Sequence, residues 1–307
     1  MAFPFTLKFL VIPFLLLINV LSSVESDSNS IPKWDIDFLE FPLNLEYLEA
    51  EFFLWGSTGS GLDQIAPDLA VGGPPPIGVR KALLDPLTKD IINQFALHEV
   101  GHLRAIQARV KGFPRPTLNL SIAQFSDMMN SAFERPLIPP FDPYKNSVNY
   151  LLASYLIPYV GLNGYVGTLP KLLSVESRKL VAGLLAMKSG QDAVIRTMLY
   201  QRRLQRVTPY KITVQEFTTR ISNLRNKLGA MSDISSKDEG IFVDSKDGAE
   251  GKIQGNVLSG DPNSLGFPRT PEEILNILYG SGDAKKVGGF FPKGAGGFIA
   301  QNYLQPK

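Results

Sequence analysis

Cysteine is absent from the 307 residues, and histidine occurs only at positions 98 and 102. The first absence excludes disulfides, thiol catalysis, zinc fingers and iron–sulfur ligation. The scarcity of the second confines all histidine chemistry to one short stretch. Neither charge sign is in excess, with 31 Lys and Arg against 29 Asp and Glu, so there is no broad basic footprint for nucleic acid. The Gly-rich stretches lack both the P-loop and the strand–GxGxxG–helix setting, which leaves nucleotide binding without support. What is abundant is apolar: a 44% hydrophobic share rules out a solvated, disordered chain and supports a sizeable core without disulfides.

One apolar run stands apart. Lys8 precedes Phe9 to Val20, and Leu21-Ser22-Ser23 follows with small and polar residues. The run is about a dozen residues, shorter than the roughly 20 needed to span a bilayer, so residues 1–23 read as a cleaved secretory signal peptide. The expected destination is outside the cell or in the endomembrane lumen. Asn119-Leu-Ser121 is then a usable glycosylation sequon. No later segment reads as membrane-spanning, because Asn149, Pro158 and Asn163 interrupt the best candidate.

The remaining pattern is helical. Leu45, Leu48, Phe52 and Trp55 recur at helical spacing within Leu39 to Trp55. Asp85-Pro86 supplies a cap and a first-turn proline for a helix to about Val110. Leu118 to Tyr144, rich in proline, reads as short pieces forming a crossover, and Ser147 to Leu169 as a third, buried helix. Ser174 caps a fourth running to Leu199, and Thr213-Val-Gln-Glu216 is a capping box opening a fifth that ends near Gly229. This gives a bundle over residues 34–230 and a Gly/Ser-rich extension over 231–307, with a short helix near 271–279. Phe290 and Phe291 are expected to tuck that extension against the bundle.

In a helical bundle a paired-metal site needs inward carboxylates from two helices and a Glu-x-x-His pair from each of two others. Glu99 and His102 form one such pair on one face of the second helix, and Glu46 or Glu49 on the first could bridge. Gly101 between them points to the close approach of another helix. His98, about 100° around from Glu99, reads as solvated.

The stretches Phe41-Pro-Leu-Asn-Leu-Glu-Tyr-Leu-Glu-Ala-Glu-Phe-Phe-Leu54, Glu99-Val-Gly-His-Leu-Arg-Ala-Ile106, Ser189-Gly-Gln-Asp-Ala-Val-Ile-Arg196 and Gly288-Gly-Phe-Phe-Pro-Lys-Gly294 together resemble the plant desiccation-related protein family, which carries a ferritin-like domain. The resemblance covers nearly the whole mature chain. It implies an all-α fold, a ferritin-like four-helix bundle with a long crossover, a fifth helix and a Gly-rich C-terminal extension, and a setting in dehydration or other stress. It also shows where the metal pattern fails. Glu46, Glu99 and His102 match family ligands, but the third helix has no acidic residue, and Lys188 and Gln191 stand where the fourth should carry Glu-x-x-His.

Two metals are therefore not expected, and an inward Lys188 would pair with Glu46 or Glu99. Three readings follow. The first is a non-catalytic secreted stress protein, not a ferroxidase, that binds a cell-wall or other apoplastic partner. The second is a residual binder of a single iron or manganese ion through Glu46, Glu99 and His102. The third is an enzyme acting on a small metabolite in the vacated core, with Lys188, Glu99 and His102 as acid–base groups among Tyr150, Tyr155, Tyr159 and Tyr165. A homo-oligomer is compatible with each; no cofactor beyond that ion is expected.

Overall fold

The computed structural model describes residues 31–230, 236–261 and 263–305; the expected signal peptide lies outside the described residues. Helix α1 (Lys33–Glu40) is followed by α2 (Leu43–Thr58). The expected continuous helix from Leu39 is thus divided, because Pro42 has no N–H with which to continue the ladder. Helix α2 also runs past its expected end at Gly56. That glycine lets Tyr150 close in, since a Cβ there would overlap the phenol, whose hydroxyl donates to the Phe52 carbonyl at 2.6 Å. Gly59, at φ 85°, stops the helix in the left-handed region. Nearly every α2 side chain is buried, its three glutamates included, so α2 is the central rod of the bundle.

Helix α3 (Pro86–Gln107) starts as its sequence directs: Asp85 Oδ1 accepts from the Thr88 N–H at 2.9 Å. The crossover holds a helix that the reading as short pieces missed. This is α4 (Ile122–Phe133), capped by Ser121, whose hydroxyl accepts from the Gln124 N–H at 3.2 Å. Phe125, Met128, Met129 and Ala132 face the core along one stripe.

The third bundle helix is two helices, α5 (Ser147–Leu156) and α6 (Pro158–Thr168), where one was expected. Pro158 interrupts the ladder, and Arg225 supplies donors there: Nη1 contacts the carbonyls of Tyr155 and, at 3.2 Å, Leu156. Helix α7 (Val175–Gln201) is the longest, capped by Ser174. A two-residue hairpin, Arg206–Val207 against Ile212–Thr213, leads into α8 (Val214–Gly229). Of the expected Thr213–Glu216 capping box only one half forms, Thr213 Oγ1 accepting from the Glu216 N–H at 3.3 Å. Both halves form instead at Thr270 and Glu273, at the start of α9 (Pro271–Leu278).

The segment after α8 lies on the bundle. Arg196, fully buried in α7, donates to the carbonyls of Gly240 at 3.0 Å, Asn256 at 2.7 Å and Val257 at 3.0 Å. Phe290 and Phe291 are buried, and Asn44 at the start of α2 exchanges two hydrogen bonds with the Gly296 backbone, at 2.9 and 2.7 Å. Helix α10 (Phe298–Leu304) closes the described chain. Among the described residues no helix is long and apolar enough to cross a membrane.

Candidate functional site

Glu46 and Glu49 lie one turn apart on α2, as do Glu99 and His102 on α3 and Lys188 and Gln191 on α7. The bundle brings all six together. Lys188 Nζ lies 3.1 Å from Glu46 Oε2 and 2.9 Å from Glu49 Oε2, and also contacts Glu99 Oε2. His102 Nδ1 is 3.1 Å from Glu46 Oε2 and 3.2 Å from Glu99 Oε2. Because both neighbours are carboxylate acceptors, that nitrogen carries the hydrogen. Gln191 Nε2 donates to Glu99 Oε1 at 2.7 Å, and the Tyr165 hydroxyl of α6 donates to Glu46 Oε1 at 2.6 Å.

Burial works against every charge here, and the partners decide which survive. For Glu46 burial is overcome by the Lys188 ammonium and by His102, which hold its carboxyl far below the ordinary range. For Glu49 burial wins, with Lys188 only partly offsetting it, and the carboxyl is pushed up to about 8. Glu49 Oε1 is buried without a hydrogen-bond partner, beside the Cβ-less Gly161, an environment that suits a neutral carboxyl better than a charged one. Despite burial, Glu46 and Glu99 push His102 up to about 10, and the three glutamates hold Lys188 well above its ordinary value.

Several expectations change in this geometry. The vacated pocket is filled, since the lysine occupies the point where the carboxylates converge. Of the four tyrosines only Tyr165 touches the cluster. Tyr150 stacks on Phe52, with ring centroids 4.5 Å apart, while Tyr155 and Tyr159 face Arg196 and Arg225. Among the described residues no helix approaches Gly101: a Cβ there would meet nothing within 4 Å. His98 is exposed. Lys188, enclosed and held protonated, is poorly placed to act as a base or an amine nucleophile.

Donor atoms of Glu46, Glu99 and His102 lie within 4.8 Å of one another, close enough for one ion. A pair of metals does not fit. A divalent ion on those donors would sit about 4 Å from the ammonium, and at an effective dielectric constant of about 20 their repulsion is on the order of 8 kcal/mol. The oxygens of the cluster left without a partner are Glu49 Oε1 and Gln191 Oε1, too few to hold a second ion.

The fold and the arrangement of carboxylates define a ferritin-like four-helix bundle protein. The ferritin-like domain profile matches residues 34–201, and the chain belongs to that family. Two plant proteins resemble it over nearly their full length. The desiccation-related protein PCC13-62 of Craterostigma plantagineum is 58% identical over 267 residues, covering 87% of this chain and 84% of that protein. The ferritin-like catalase Nec2 of Nesocodon mauritianus is 54% identical over 278 residues, covering 91% of this chain and 88% of that one. No solved structure gives a significant match.

Proposed function

We propose that this chain is a secreted desiccation- or stress-related ferritin-like protein in which a lysine takes the place of the metal pair, so that it is neither a ferroxidase nor a two-metal peroxide-decomposing enzyme. The observation that carries this reading is the Lys188 ammonium set among Glu46, Glu49 and Glu99. A metal can be lost to chelators or to drying, whereas a lysine is a covalent countercharge. The bundle therefore keeps its buried carboxylates neutralised whatever the ion supply.

The stress setting rests on the name of the Craterostigma relative, and the competing activity on the name of the Nesocodon one. Secretion to the apoplast, with the vacuole as alternative, rests on the leader-like residues 1–23. Asn119 is the proposed glycan carrier. It is half-buried, and its side-chain oxygen accepts from the Ser121 N–H at 3.2 Å.

The 4.8 Å clustering of Glu46, Glu99 and His102 favours one second reading, a single bound iron or manganese ion. Metal analysis of protein purified without chelator, together with oxygen release from hydrogen peroxide, separates the two. Substoichiometric metal and no oxygen above a heat-killed control are expected. Stoichiometric metal with oxygen release would overturn the lysine-for-metal reading in favour of the second.

A further inference from the structure

His102 is the most exposed member of the cluster. It is only 7% exposed, its Nδ1 is committed to two carboxylates, and its other ring nitrogen, Nε2, has no partner among the described residues. Beside it a groove of about 440 Å³ runs between α3 and α7, within the size range of small-molecule sites. The two helices are antiparallel here. His102 and Met187 lie at one end, and Arg109, Lys179 and Glu176 at the other.

The groove has three parts. Its middle is apolar, lined by Leu180 and Leu184, with Gly183 between them. A Cβ on Gly183 would meet nothing within 4 Å, so no internal contact requires glycine there. Yet glycine destabilises a helix interior by about 1 kcal/mol relative to alanine; what its missing side chain provides is room in the groove. At the far end Arg109 and Lys179 make no ion pair among the described residues, and against Glu176 they leave one positive charge in excess. The seven-residue interval from His102 to Arg109 separates the two polar ends by about 10 Å at 1.5 Å per residue.

We propose that this groove binds an elongated organic acid, with its carboxylate on Arg109 and Lys179, its apolar middle along Leu180, Gly183 and Leu184, and a hydroxyl or carbonyl at its other end on His102 Nε2. The site shares only His102 with the buried cluster, through the ring nitrogen that Glu46 and Glu99 leave free.

With only two histidines, imidazole nitrogen–proton NMR of the full mature chain reads the site directly, His98 serving as an internal control. Titrated with ω-hydroxyoctanoate, the His102 Nε2 resonance is expected to shift saturably while His98 stays still. The α,ω-octanediol, which lacks the carboxylate, is expected to bind at least about tenfold more weakly, a loss near 1.4 kcal/mol. Gly183→Leu, with no fall in melting temperature, should abolish the shift, and Arg109→Gln with Lys179→Gln should weaken it about tenfold. No saturable His102 shift with the wild-type chain, equal shifts at His98, or full binding by Gly183→Leu would overturn the proposal. An Nε2 shift from octanoate as large as that from its hydroxy-acid would overturn the assignment of the second polar end.

Discussion

Lys188 on α7 and Glu49 on α2 are joined at 2.9 Å across 139 residues of sequence, and neither side chain is exposed to solvent. Lys188→Met keeps much of the volume but leaves the buried carboxylates without their central cation. Removing one partner of a buried ion pair costs about 3–5 kcal/mol, and chemical denaturation should show a loss of that size. A loss below about 1 kcal/mol would show the ammonium to be dispensable.

Restoring the missing half-site should restore metal affinity. Lys188→Glu combined with Gln191→His rebuilds Glu-x-x-His on α7 opposite Glu99 and His102. Manganese or ferrous iron should then raise the melting temperature, since free ion at about 100 times its Kd contributes about 2.7 kcal/mol. The wild-type chain should show no such rise.

Stability should decline toward alkaline pH. His102 is raised from 6.5 to about 10 and Glu49 from 4.5 to about 8, so the native chain holds protons that the unfolded chain releases. The His102 contribution is whole below about pH 6.5 and is lost as pH rises through about 10. The Glu49 contribution falls between 4.5 and about 8 in the same direction. Denaturation midpoints measured from pH 8 to 10 should fall for wild type and stay nearly flat for His102→Gln.

Tyr165→Phe removes the phenol that donates to Glu46 at 2.6 Å, leaving the carboxylate oxygen buried without that donor. Hydrogen bonds to charged groups are worth about 1.5–3 kcal/mol, and the denaturation free energy should fall by that amount. An unchanged midpoint would mean that the oxygen finds another donor.

Arg196→Met should act elsewhere, because the guanidinium holds the segment from Glu239 to Val257 and does not touch the cluster. Hydrogen exchange should quicken over that segment while α2 and α3 keep their protection. Uniform loss across the bundle would refute a local clamp.

Local signals were legible in the sequence and spatial ones less so. Asp85, Ser174 and Ser121 each cap the helix they precede because the bond spans three residues, and only the prolines flanking α4 hid the third of these. Pro42 and Pro158 were visible, but the apolar periodicity running across both favoured continuity over the missing N–H groups. Glu99 and His102 could be paired by spacing alone. Lys188 falls on the repeat of Val181, Leu184, Ile195 and Met198 and so reads as inward, but only the family resemblance marks it as standing where a metal ligand is expected. That it would meet Glu49 as well as Glu46, and that Tyr165 alone of four tyrosines would join them, depends on how α6 and α7 pack against α2. Gly101 misled because a helical glycine looks the same whether it faces a neighbour or open solvent.

The paired bonds between Asn44 and Gly296 span 252 residues, so the start of the central rod is clasped by a segment synthesised long after it. The clasp can therefore form only once translation has passed Gly296. A product truncated before Phe290 would lack the clasp and also the buried Phe290 and Phe291, uncovering apolar surface such as Phe125 and so exposing an incomplete molecule to chaperones or degradation.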